Sequence, residues 1–321
     1  MMKNKEEKIK DSVVKSSFTV GLMTFVSRIS GFLRDVVFAS YFGAGSNTDA
    51  FFVAFKIPNF FRRLFAEGAF IQSFVPVLND YKVNRQQDLK KFISYVQGNL
   101  GFVLIIIVTA GIFFSDHVIG TFAPGFETSS NRFNLSSNML QITFPYLFFI
   151  SLTAMSAGIL NTYDKFLLPS ITPVLLNISL IMFAVFASGL IQEPIMSLAY
   201  GVFVAGILQY LIQIPSLIKM DLFVLPRISL KFEGVNRVLK LMLPAMLGTA
   251  VVQINLIIDS IVASLLVAGS ISWLYYSDRL VELPLGVFGI AIATVILPKL
   301  SENYSKNSMT EYSEMIRRAL K

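Results

Sequence analysis

Four stretches of this chain, 92–115, 133–163, 166–192 and 194–218, contain no Asp, Glu, Lys, Arg or His. Each is longer than the roughly 20 apolar residues that a helix needs to cross a bilayer. Four further runs, 16–43, 49–79, 238–268 and 271–298, are as apolar but are interrupted by charge, Gly or Pro. The pattern predicts an all-α polytopic membrane protein with about eight transmembrane helices. Composition agrees, since 15% of the 321 residues are charged, against about 25% in a soluble domain, and mean hydropathy is +0.65.

Basic residues fix the expected orientation, because Lys and Arg collect in cytoplasmic loops. Residues 1–15 hold five, 82–91 four, 219–240 five and 299–321 five, with Lys165 in between. The alternate connections, near 44–48, 115–132, 193 and 269–270, contribute only Arg132. Both termini are therefore expected in the cytoplasm. Residues 16–43 read as a retained first helix rather than a signal peptide, because no small-residue cleavage site follows and Arg28 interrupts the run. The net charge of +7 lies mostly beside membrane ends, which argues against nucleic acid as a partner.

The six remaining cations, Arg28, Arg34, Lys56, Arg62, Arg63 and Arg279, fall inside the spans, with Asp35, Asp49, Glu67, Asp259, Asp278 and Glu282. A charge at the bilayer centre costs about 2.5–3.5 kcal/mol by insertion measurements, so each is expected to face a partner or a water-filled cavity. Helical spacing puts Asp49, Lys56 and Arg63 on one face, with Glu67 and Asn59 each one turn from Arg63. Arg28 and Asp35 share a face around Gly31, Arg279 and Glu282 are three apart, and Asn255 with Asp259 forms a shorter stripe. Arg63 with Glu67, and Arg279 with Glu282, read equally well as internal ion pairs. Pairing leaves a surplus, however. In the first six spans five cations meet three acids, so Arg28 or Arg34, and Arg62, lack a carboxylate of their own. An anionic ligand would complete them, and the guanidinium fork suits phosphate. Cation or proton coupling near Asn255 and Asp259 is the lesser option.

Enzymatic chemistry finds little support. There is no cysteine, and the one histidine, His117, lies in a polar interhelical stretch and reads as a solvated loop residue. No nucleophile–base pair, metal cluster or phosphate loop is evident, so neither a metal nor a cofactor is expected.

Long charged motifs inside the spans carry a resemblance. They are Ser27-Arg28-Ile29-Ser30-Gly31-Phe32-Leu33-Arg34-Asp35, Phe42-Gly43-Ala44-Gly45, Thr48-Asp49-Ala50-Phe51-Phe52-Val53-Ala54-Phe55-Lys56-Ile57-Pro58-Asn59 and Arg62-Arg63-Leu64-Phe65-Ala66-Glu67-Gly68-Ala69-Phe70. Further matches are Phe74-Val75-Pro76-Val77-Leu78, Ala123-Pro124-Gly125-Phe126, Leu175-Leu176-Asn177-Ile178-Ser179, Leu225-Pro226-Arg227 and Trp273-Leu274-Tyr275-Tyr276-Ser277-Asp278-Arg279. Over nearly its whole length the chain resembles the MurJ (MviN) lipid II flippases. The resemblance implies the multidrug/oligosaccharidyl-lipid/polysaccharide exporter fold, two six-helix lobes around a central cavity. It also implies movement of an undecaprenyl diphosphate-linked peptidoglycan precursor between leaflets of the bacterial cytoplasmic (inner) membrane, among membrane lipids and beside cell-wall synthesis machinery. Arg28, Arg34, Arg62 and Arg279 match the family's substrate-binding arginines. Asp35, Asp49, Lys56, Asn59, Arg63 and Glu67 carry over as cavity or gating residues.

A faint internal echo supports two related lobes, since Val75-Pro76-Val77-Leu78-Asn79-Asp80 recurs as Leu297-Pro298-Lys299-Leu300-Ser301-Glu302. The expected organisation is a cytoplasmic segment 1–15, a first six-helix lobe 16–220, a cytoplasmic connection 221–237, the first two helices of a second lobe 238–298, and a cytoplasmic segment 299–321. Members of the family carry about fourteen helices, so the chain reads as truncated and is not expected to replace a full-length flippase alone. A related exporter of other lipid-linked saccharides or of drugs would share the architecture. An inactive remnant would share it too.

Overall fold

The computed structural model describes residues 2–128 and 130–282 together with Arg317, with side chains from residue 19 onward except those of 65–67 and 251–252. Every regular element among them is a helix. Helix α1 runs from Met2 to Tyr41 without a break, so Gly31 does not interrupt it. Helix α2 (Ser46–Phe61) continues through a π-helical stretch, Arg62–Phe70, into α3 (Ile71–Asn84). Helices α4 (Leu89–Phe113), α5 (Ser115–Phe122), α6 (Asn131–Thr143), α7 (Tyr146–Thr162) and α8 (Leu167–Met182) follow. The described chain is completed by α9 (Met196–Leu211), α10 (Ile214–Lys219), α11 (Glu233–Ser264) and a helical run over 270–282.

The four uncharged runs become helical spans at Gln86–Phe113, Asn131–Thr162, Leu167–Leu190 and Met196–Lys219. A fifth is bent by 42° between Ala250 and Gln253, beyond Pro244. Pro145 and Pro215 sit at the junctions of α6 with α7 and of α9 with α10, where a missing N–H is tolerated. The expected spans at 16–43 and 49–79 are the continuous helices α1 and 46–84, long enough to cross but carrying the charges. The expected span 271–298 starts in the 270–282 helix. Its remainder, the echo at 297–302 and all of segment 299–321 except Arg317 lie outside the described residues.

Contacts divide the chain into two units, Met1–Trp273 and Leu274–Lys321. Within the first, α1 packs on α8, α2 on α6, α7 and α8 on α9, and the π stretch with α3 on α11. An aromatic stack anchors the end of the bundle near residue 81. Phe70, Phe74, Phe92 and Tyr81 follow one another with ring centroids 5.2, 5.7 and 4.5 Å apart, and Val235 and Val238 of α11 close over them. The far side of α4 shows Phe102, Val103, Ile105 and Ile106 to the surroundings, as a lipid-facing helix must.

Candidate functional site

The intramembrane charges separate into three groups. On α1, Arg34 and Asp35 are both buried, at 4% and 5% exposure. Neighbours in sequence point about 100° apart on a helix, so the pair forms only because the arginine side chain curls back. Its Nε and Nη2 donate to Asp35 Oδ1 at 2.9 and 2.6 Å. Nη1 donates to Asn177 Oδ1 on α8 at 3.0 Å, and the Asn177 amide donates to Ser30 Oγ at 2.9 Å and to the Ser27 carbonyl at 3.2 Å. Of Arg28 and Arg34, one of which the sequence leaves without a carboxylate, Arg34 therefore has one and ties α1 to α8. Arg28 is different. It is half-buried, and among the described residues it has no hydrogen-bond or ion-pair partner.

The α2 charges do not form the single stripe that regular spacing predicts. Pro58 leaves the Ala54 carbonyl without its helical donor, and the buried Thr143 hydroxyl of α6 reaches it at 3.4 Å. The π stretch begins four residues later, and its i→i+5 bonding changes the face on which following residues emerge. Asn59 donates to the Phe55 carbonyl at 3.0 Å, which turns its oxygen toward Arg62 Nε at 3.1 Å rather than toward Arg63. Lys56 and Arg62 are half-buried and Arg63 is exposed, each with further interactions. The Glu67 side chain lies outside the described residues, and so does the expected Arg63–Glu67 pair.

Asp49 leaves the stripe altogether. It is 1% exposed and caps the start of the 270–282 helix. Oδ2 accepts from the Gly269 N–H at 2.6 Å, and Oδ1 from the Ser272 N–H and hydroxyl at 2.8 and 2.6 Å. A carboxylate there meets both orphan amides and the positive end of the helix dipole. Two features that the sequence reading left without a role join it. Arg132, the lone base of its loops, has Nη1 3.9 Å from Asp49 Oδ2, stacks over Phe126 at 3.9 Å and donates to the Gly125 carbonyl at 3.3 Å. The Ala123-Pro124-Gly125-Phe126 turn rests on the last residue of α11, the Gly125 N–H donating to Ser264 Oγ at 3.1 Å. Nearby, His117 is exposed on the short helix α5 and not in a loop.

At the opposite end, α3 is clasped to α11. Arg237 donates to Asp80 Oδ2 at 2.5 Å and Arg85 to Glu233 Oε2 at 2.8 Å. Asn84, bonded to Asp80 Oδ1 at 2.7 Å, and then Arg237 hold the Asp80 carboxyl below the ordinary range, while Glu233 raises Arg85. Between α10 and α11 the connection runs as an extended strap along α4. Ser94 Oγ donates to the Leu225 carbonyl at 2.5 Å, Asn99 to Ser229 O at 3.0 Å, and the Arg227 N–H to Ser94 O at 3.0 Å. A Cβ on Gly98 would lie 2.2 Å from the Arg227 carbonyl oxygen, so this close approach requires glycine. Ser94, Gly98 and Asn99 looked like incidental polar residues in an uncharged span, and they are the strap's track.

Two candidates remain. Asn255 and Asp259 sit on the exposed face of α11, opposite buried Gln253 and Ser260, and among the described residues no hydrogen bond or ion pair draws them into a site. In the second unit, Arg279 Nη1 pairs with Glu282 Oε2 at 3.0 Å and lies over the Tyr275 ring at 5.4 Å. The internal ion pair considered for these two residues is therefore present.

With every regular element of its described residues a helix, with apolar spans and with charges buried among them, the chain is a multi-pass membrane protein. A family model described as "Lipid II flippase MurJ" matches residues 38–321. The chain is 46% identical over 308 residues to a "Probable lipid II flippase MurJ" of Buchnera aphidicola subsp. Schizaphis graminum, with 95% of this chain and 60% of the relative aligned. It is 47% identical over 310 residues to a protein of the same description from Vibrio cholerae, covering 93% and 58%. A solved structure described as "Lipid II flippase MurJ, inward closed conformation" superposes with TM-score 0.77 at 34% identity, over 94% of this chain and 61% of that one. The chain belongs to the MurJ lipid II flippase family, and it spans about 60% of the length of these relatives.

Proposed function

We propose that this chain takes part in moving undecaprenyl diphosphate-linked peptidoglycan precursor from the inner to the outer leaflet of the bacterial inner membrane, by alternating access and without covalent chemistry. The observation that carries the reading is Arg28. A half-buried guanidinium on an apolar helix, without an anion among the described residues, offers a fork for two phosphate oxygens. Arg62 and Arg279 are proposed as further diphosphate contacts, and Arg34 as their support through Asp35 and Asn177. Lys56, Asn59, Arg63 and Glu67 would line the path, with Asn255 and Asp259 available for ion coupling.

Two closures support alternation, the Asp49 cap at one end and the Asp80–Arg237 and Arg85–Glu233 clasp at the other. With both termini cytoplasmic the Asp49 end is outer, and the lobes divide at 221–237. Membrane lipids surround the spans, and cell-wall synthesis enzymes would use the product. The test is competition for a labelled lipid-linked precursor bound by the chain in lipid nanodiscs. Undecaprenyl diphosphate should displace it, and neither undecaprenol nor a cationic dye should. Displacement by the dye alone would favour a drug exporter.

A further inference from the structure

The proposed outer closure has a second point of contact, and the residues that make it were assigned no role by the spacing of charges or by kinship. Gly125 meets the end of α11 so closely that a Cβ would stand 2.1 Å from the Ser264 carbonyl oxygen and 2.6 Å from the Leu265 nitrogen. These are backbone atoms and cannot swing aside as a flexible side chain would. Phe126 is buried beside this contact, and its ring lies under the Arg132 guanidinium. From there Arg132 spans both contacts, donating to the Gly125 carbonyl and facing Asp49 Oδ2.

We propose that the 123–126 turn is the second half of an outer latch and that Arg132 is its positioning residue. It holds the turn against α11 and at the same time sets the carboxylate that caps the 270–282 helix. Because one guanidinium serves both contacts, they release together. The charges facing this carboxylate are the Arg132 guanidinium and the helix N-terminus, so loss of Arg132 leaves the cap in place but loosens its aim. The proposal rests on the alternating-access reading, and its test separates the two.

The chain has no cysteine, so single cysteines report cleanly. Ala263→Cys places a thiol at a buried position one residue before Ser264, and Ala199→Cys places one at a buried position on α9. In right-side-out vesicles the rate of labelling by an impermeant maleimide reads the outer opening. Adding Arg132→Gln or Gly125→Ala to Ala263→Cys should speed labelling about tenfold, the effect of losing one charge-assisted hydrogen bond or an equivalent contact. Arg132→Lys, which keeps the charge and loses the fork, should fall between. Ala199→Cys should stay protected in every background. Unchanged Ala263→Cys rates in both variants, with acceleration by Asp49→Asn, would overturn the second contact and leave the closure to Asp49. No change even with Asp49→Asn would overturn the outer closure itself. Labelling of Ala199→Cys in the Arg132 variants would show general loosening of the bundle and would also overturn the proposal.

Discussion

Arg28 and Arg34 stand on the same helix in opposite surroundings. Arg34 is enclosed with Asp35 and Asn177, and removing one partner from such a buried pair strands the other charge, at a cost of about 3–5 kcal/mol. Arg28 loses no partner among the described residues when it is removed. Thermal unfolding in nanodiscs should therefore show Arg34→Gln well below the parent and Arg28→Gln near it. Equal destabilisation of the two would mean that Arg28 is also structural. The sequence exposes the presence of both charges, because hydrocarbon makes charge conspicuous. It hides their pairing. Spacing joins Asp35 to Arg28, whereas the long arginine side chain bends back to its neighbour, a choice made by Asn177 on a helix remote in sequence.

At the scale of elements, the uncharged runs lie within a residue or two of the helical spans, except that the first span begins earlier, at Gln86, among charged residues that the helix can carry past the bilayer. The π stretch was not legible in the sequence. It packs against α11, and the Thr143 hydroxyl answers the carbonyl that Pro58 frees one turn before it, contacts that only the tertiary fold supplies. The strap on α4 was equally hidden, because a serine, a glycine and an asparagine in an apolar run have no reading until their partner segment is known. The α3–α11 clasp makes a pH prediction. Asp80 titrates below the ordinary carboxylate range, so its contribution is complete above about pH 4 and disappears as pH falls through the depressed value. Spin labels at Val83 and Asn236, both exposed, should keep one separation from pH 7 to about 5 and spread apart in stronger acid. The Asp80→Asn, Glu233→Gln variant should be spread at every pH, and an acid step surviving in it would locate the titrating groups elsewhere.

For the whole molecule, the proposed orientation rests on the lopsided distribution of basic residues. A reporter active only outside the cytoplasm should be on when fused after residue 128 and off after 86 or 230, and the reverse pattern would invert the inner and outer assignments. Residue 128 lies in the latch region and 86 and 230 at the clasp and strap, so the same fusions check which closure faces which side. If a fork on α1 takes the diphosphate, it sets the affinity of the chain for undecaprenyl diphosphate in nanodiscs. Lysine at Arg28 keeps the charge and loses the paired hydrogen bonds. The Arg28→Lys chain, folded and inserted as the parent is, should bind about tenfold more weakly, and parental affinity in that variant would show that the Arg28 fork does not hold the diphosphate.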